Sequence, residues 1–327
     1  MAAVYKHIDI ITESLAYRKL ESERKSGLIK HAYVFESGDF GALDTLARLF
    51  VCLCEKGGAD EAMLKRIRDG GYLDIVRLPK PESKGKITVD DISQAIDSAY
   101  LTPTELSSKY YIFASPDGLS PAVQNKMLKT LEEPPRASRF IIFTQGNDLL
   151  PTVLSRCATV RLEPFGDDVI IRSLVSAGYD EVTALFLAAV SRGNIGTAEE
   201  IASDRTYMQA YEEAANFLLS VKRSSQILPT AAKFTAAKEK FVPFIDYLEL
   251  ILRDIMAYRE VGAEAVVLKP ALSDIVKLSR EFDTVTVLKL LPLIRHARER
   301  IRLYGNAASY IDELLFSILE VKAKCRT

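Results

Sequence analysis

The chain lacks an excess of positive charge, a long apolar run, and more than a few cysteines or histidines. Its 43 Lys and Arg against 44 Asp and Glu leave a formal net charge of -1. No global field would therefore draw it onto DNA, and any nucleic-acid contact must be local or shared with partners. No stretch approaches the roughly 18 to 20 apolar residues of a membrane span. The segment MAAVYKHIDIITESLAYRKL carries charges where a signal peptide needs an apolar region. A cytoplasmic protein is expected. Cys52, Cys54, Cys157 and Cys325 are scattered, which fits reduced thiols better than a disulfide framework. Cys52 and Cys54 form a C-x-C pair with neither a second pair nor a nearby His, so they cannot complete a four-ligand zinc shell. They are read as two helix thiols packed in or near a core, and no metal is expected. His7, His31 and His296 stand alone and give no metal or triad spacing.

What is present is ordinary globular composition, 48% apolar and 27% charged, over 327 residues, enough for two or three domains. The first half alternates short apolar runs with helical patterns, as in a parallel sheet covered on both faces. Five strands are predicted: Ala32 to Phe35, Asp74 to Leu78, Tyr110 to Phe113, Phe140 to Thr144 and Thr159 to Leu162. Their uniform apolarity predicts burial on both faces. Between them, Leu43, Leu46, Ala47 and Phe50 form one apolar stripe. Ile92, Ala95, Ile96 and Ala99 form another behind the cap candidate Thr88. The best-marked helix is Ser120 to Glu133, with Ser120 as cap and Pro121 at the first position. Pro134 then disfavours helix at the residue before it.

From about Phe165 the pattern is helical only. Asp167 to Ala177, Glu181 to Val190 and Thr197 to Ser203 read as three short helices. Longer ones follow, marked by Phe241, Phe244, Ile245, Leu248, Leu252 and Ile255, and then by Ile311, Leu314, Leu315, Ile318 and Leu319. The fold class expected is α/β plus all-α.

Three segments point to one family. SPAVQNKMLKTLEEPP (Ser120 to Pro135) resembles the NALLKTLEEPP segment of bacterial DNA polymerase III clamp loaders. LLPTVLSRC (Leu149 to Cys157) resembles their Ser-Arg-Cys motif, and GYLDIVRLPKP (Gly71 to Pro81) their second-strand region. The resemblance covers roughly residues 28 to 200 and implies an AAA+ architecture. Its parts are a RecA-like domain over 1–163, a three-helix lid over 164–205 and a helical collar, used for oligomerisation, over 206–327.

The family's nucleotide chemistry is poorly supported by these residues. A P-loop needs glycines so that backbone N–H groups cradle phosphates, a Lys for the β- and γ-phosphates, and Ser or Thr for magnesium. Here the first strand runs into ESGDFGALDTLA. No lysine lies between His31 and Glu55, and Leu43 and Asp44 match the Lys and the hydroxyl residue. Gly38 and Gly41 read as a strand-to-helix turn, and Asp44 is expected to oppose anionic phosphate. After the third strand, Ala114 and Ser115 match the Asp-Glu pair that handles magnesium and the attacking water. Asp117 falls at a later Asp of the pattern and reads as a turn residue. Gly196 stands where active members carry the sensor 2 Arg, and Thr144 matches the sensor 1 position. No cofactor is expected.

One charged residue of the machinery survives. Arg156 matches the arginine finger, which in this family reaches the ATP of a neighbouring subunit with a permanent charge and paired donors. Glu132 and Glu133 are read as a helix terminus, since no base or metal partner is evident. RHARERIR (Arg295 to Arg302) is read as a solvated basic face.

ATP-hydrolysing gamma/tau subunits should keep all the nucleotide features, and delta subunits lack Ser-Arg-Cys. The combination here resembles the branch that has lost turnover and kept the finger. That implies a stator that is no enzyme by itself, binding gamma/tau and delta and serving the sliding clamp and primer-template DNA through the assembly. An active clamp-loader ATPase with an unusual site, and an ATPase-like adaptor outside replication, stay open on sequence.

Overall fold

Runs such as AYVF and FIIFT can satisfy their backbone and bury both faces only inside a helix-covered sheet. In the computed structural model they do. It describes residues 7–80, 86–116, 118–146, 148–203, 205–221, 223–236, 241–303 and 307–324. The strands are β1 (Ala32–Glu36), β2 (Ile75–Leu78), β3 (Lys109–Phe113), β4 (Ser138–Thr144) and β5 (Ala158–Arg161). They form one parallel sheet in the order β2-β3-β4-β1-β5. In register, Val34 lies opposite Ile142 and Thr159, and Ile112 opposite Ile141.

Burial on both faces holds for β1, β3 and β4 but not for the edge strands. Arg77 of β2 and Thr159 and Arg161 of β5 are exposed. An edge strand lies at the margin of the helical cover, where charged residues also discourage pairing with another chain. One face of the sheet packs Val34, Tyr111, Phe113, Phe140 and Ile142 against Ile92, Ala95, Val123, Met127 and Leu131. Phe140 stacks on both Tyr111 and Phe113. Each such buried side chain contributes on the order of 1.5–3 kcal/mol.

Around the sheet run α1 (Ile8–Glu13), α2 (Leu15–Lys25), α3 (Phe40–Lys56), α4 (Glu61–Arg68), α5 (Val89–Ala99), α6 (Pro121–Glu132), α7 (Pro151–Leu154) and α8 (Asp167–Ser176). Their ends follow local chemistry. Thr88 and Asp91 form a reciprocal capping box at α5. Ser120 caps α6 ahead of Pro121. Gly57, at φ 84°, ends α3 in the left-handed conformation that glycine tolerates best.

The chain divides into two compact units, one of Met1–Ala177 with Gly193–Thr197, the other of Gly178–Arg192 with Ala198–Thr327. The second is helical, with α9 (Glu181–Ser191), α10 (Ile195–Ser203), which begins in the first unit, α11 (Arg205–Ser220), α12 (Ile227–Ala236), α13 (Phe241–Glu260), α14 (Leu272–Glu281), α15 (Thr284–Leu303) and α16 (Ala307–Lys324). The predicted stripe from Phe241 to Ile255 is buried along α13, which packs on α11, α14 and α15. Phe217, Phe234, Phe241 and Phe244 meet there ring to ring. Among the described residues no helix is long and apolar enough to cross a membrane. The expectations for Asp117 and Cys325 fall outside the described residues.

Candidate functional site

In open parallel sheets, ligands bind beyond the carboxyl ends of the strands. At that end of β1 the chain turns through Ser37, Gly38 and Asp39 into α3. Asp39 is the N-cap, its Oδ1 accepting the Ala42 N–H at 2.9 Å while its own N–H donates to Ser37 Oγ at 3.2 Å. Its Oδ2 accepts the Gly196 N–H, at the start of α10, at 2.7 Å. The carboxylate is 4% exposed. Burial pushes the Asp39 carboxyl above its ordinary pKa, against the opposing pull of the Ala42, Gly196 and Gly41 N–H groups and of His7. The amides that open α3, which in a phosphate-binding loop face the ligand, are thus directed at a carboxylate of the same chain.

Gly196 makes this approach possible. A Cβ there would run into Asp39 Oδ1 and come within 3.0 Å of the Gly41 Cα, and a Cβ on Gly41 would meet the Gly196 Cα at 3.2 Å. A side chain at this position has no room beside Asp39 as it stands.

The other predicted positions lie close by with different partners. Leu43 is fully buried in the core. Asp44 is buried too and forms ion pairs with Arg48 and, at 2.9 Å, with Arg77 Nε. Two guanidinium groups therefore compensate the charge expected to repel phosphate, and the acid at the turn itself is Asp39, which is held by N–H groups. Gly38 has open space around it. Ala114 and Ser115 are buried beyond β3, where the Ala114 N–H donates to Leu78 O and the Ser115 carbonyl accepts from Gly118. Neither side chain supplies a carboxylate. The Thr144 hydroxyl donates to Asp148 and accepts the Gly146 N–H at 3.0 Å, so it is engaged in its own turn.

Gln124, on α6, gave no signal in the sequence. Its Nε2 donates to Leu119 O at 2.7 Å and to Asp148 O at 2.9 Å, and its Oε1 accepts the Leu150 N–H at 2.6 Å. It ties α6 to the turn that leads into α7.

Arg156 follows α7. Its neighbour Cys157 packs against the sheet core, and burial pushes that thiol up to about 12. The Arg156 side chain keeps 30% of its surface exposed and pairs with Glu132, at the end of α6. The thiols of Cys52 and Cys54, in α3, are each pushed up to about 11 by burial. Among the described residues no group of three or more His, Cys, Asp or Glu is placed to hold a metal ion. Nor is the basic run of α15 simply solvated. Arg298 bonds Asp246 and Glu249 at 2.6 Å, and Arg295 bonds Glu249 at 3.0 Å, because α13 presents two acids to that face.

The described residues thus form a helix-covered, five-stranded parallel sheet that carries the Ser-Arg-Cys turn, and a helical unit. Residues 12–166 match the family described as DNA polymerase III, delta subunit. The delta' subunit of DNA polymerase III from Bacillus subtilis is 24% identical over 94% of this chain and 94% of its own length. The tau subunit of the same organism is 29% identical over 46% of the chain, but only 27% of its own length is matched. A gamma-subunit-related protein from Thermotoga maritima superposes with a TM-score of 0.48 at 16% identity, over 93% of this chain and 99% of that one. The chain is similar to the delta' subunit of a DNA polymerase III along nearly its whole length, and about half of it matches a DNA polymerase III subunit family.

Proposed function

We propose that this chain is a delta-prime-type, non-hydrolysing subunit of a clamp loader, which offers Arg156 to ATP held by a neighbour. The observation that carries this reading is Asp39. A buried carboxylate takes the N–H groups of Ala42, Gly41 and Gly196. An incoming phosphate would meet a like charge and occupied donors. Leu43 is aliphatic, and Ala114 and Ser115 bring no carboxylate, so these three positions supply neither a ligand carboxylate for magnesium nor a base for water.

The same residues support a role in trans. The Ser-Arg-Cys turn anchors itself through Cys157 and leaves the guanidinium at the surface. That charge is permanent, and its planar donors match phosphoryl oxygens in pairs. In this reading residues 1–163, 164–205 and 206–327 act as sheet domain, lid and collar. The collar joins gamma/tau and delta, and the whole serves the sliding clamp and primer-template DNA as a stator. Reconstitution with gamma/tau and delta tests it. Arg156→Ala is expected to lower clamp-loading ATPase by ~10³ or more, the contribution of arginine fingers elsewhere. Full activity would refute the finger.

A further inference from the structure

A guanidinium has five N–H donors, and in Arg156 four are engaged within the chain. Nε donates to Glu132 Oε1 at 2.9 Å, and Nη2 donates to the same oxygen. Nη1 donates to the Thr152 carbonyl at 2.7 Å and to Ser155 Oγ at 3.1 Å. One Nη2 hydrogen is left. A paired grip on phosphoryl oxygens needs two donors from one edge of the guanidinium. The edge made of Nε and Nη2 is held by a carboxylate, and the other edge has Nη1 committed to its own turn. Arg156 is therefore parked, and gripping a neighbour's phosphate requires it to exchange a partner.

We propose that Glu132 is the partner exchanged: it latches Arg156 on its own subunit until a neighbour's triphosphate displaces the carboxylate. This rests on the reading of Arg156 as a finger acting in trans. Carboxylate and phosphoryl group compete for the same paired donors, and the phosphoryl group brings more charge. The pair to be broken is exposed, Glu132 to 51% and Arg156 to 30% of their side chains, so it is weak and exchange is easy. The Thr152 carbonyl belongs to the backbone of α7 and cannot leave without unravelling it, while the Ser155 hydroxyl is a neutral partner at its C-cap. Glu132 can swing away by a rotamer change. Its backbone is fixed, because Pro134 and Pro135 follow the end of α6 and Gln124 ties α6 to Leu150 at the start of α7. Glu132 thus sets how much ATP is needed to engage the finger, and Arg156 sets what engagement achieves.

The test compares Glu132→Gln, Glu132→Asp and Arg156→Ala in the loader reconstituted with gamma/tau and delta. ATPase is followed against ATP concentration at low and high salt. Removing the charge in Glu132→Gln should lower KM for ATP about two- to five-fold, the size of an exposed ion pair, with the change carried by KM rather than kcat. Glu132→Asp, which keeps the charge, should stay closer to the native KM. The difference should shrink in high salt, which screens the pair. An unaltered KM in Glu132→Gln, or a fall in kcat alone, would overturn the latch. If Arg156→Ala loses activity while Glu132→Gln is silent, the finger stands and only the latch falls. If Arg156→Ala is also silent, both fall.

Discussion

Two turns of the first unit each bring a carboxylate to a set of N–H donors, with opposite consequences. Between β1 and α3, Asp39 is buried and its donors are backbone amides from two separate segments. At the end of α6, Glu132 is half exposed and its donors belong to one side chain, Arg156. Breaking the first contact would strand buried N–H groups, each costing about 1–3 kcal/mol. Breaking the second lets water replace a surface ion pair worth about 0.2–1 kcal/mol. Burial decides which contact is permanent filling and which is a temporary partner. In the function proposed for the chain, the former closes the turn that would receive phosphate, and the latter holds the residue that would reach a neighbour's phosphate.

Removing the buried acid should break the first turn most severely. Asp39→Ala deletes a cap and leaves the Ala42 and Gly196 N–H groups unpaired, so it should cost about 2–4 kcal/mol in urea unfolding. A native-like midpoint would mean that Asp39 does not hold the turn. Next comes Gly196→Ala, whose Cβ would press on Asp39 and on the Gly41 backbone. Thermal melting should show a loss of about 1–3 kcal/mol, as for overpacking elsewhere.

The smallest effect is in the pH dependence, where two buried carboxylates should differ in sign. The Asp39 carboxyl is pushed up by burial, so the folded state holds its proton more tightly than the unfolded chain does. The advantage of the native chain over Asp39→Asn should be greatest in acid and shrink as pH rises through the raised pKa. For Asp74, burial also acts upward, but the N–H groups of Glu105, Leu106 and Thr104 outweigh it and hold the carboxyl below the usual range. The advantage over Asp74→Asn should be present above the ordinary Asp range and fade as pH falls through the lowered pKa. Parallel pH profiles for the two variants would contradict this contrast.

The sheet was legible because apolar runs of strand length, set between capped helices, permit few other arrangements. Ser120 and Thr88 cap where their spacing predicts. The partial burial of β2 and β5 was not legible, because the position of a strand within a sheet is a property of the fold and not of its own residues. Asp44 was read as opposing anionic phosphate although Arg48, four residues on, offered a helical partner visible in the sequence. Arg77 came from another strand and gave no such hint. Asp39 could have been found as a helix cap, an Asp just ahead of an apolar helical stripe. Its second role could not, since Gly196 lies 157 residues away. The pairing of Arg156 with Glu132 likewise depends on how α6 and α7 pack.

Titration of ATP with magnesium into the isolated chain, followed by calorimetry, tests the central claim most directly. With Asp39 filling the turn and Leu43 in place of a cation, the chain should give no saturable heat. Saturable binding of magnesium-ATP, abolished by substitution at the β1–α3 turn, would contradict it.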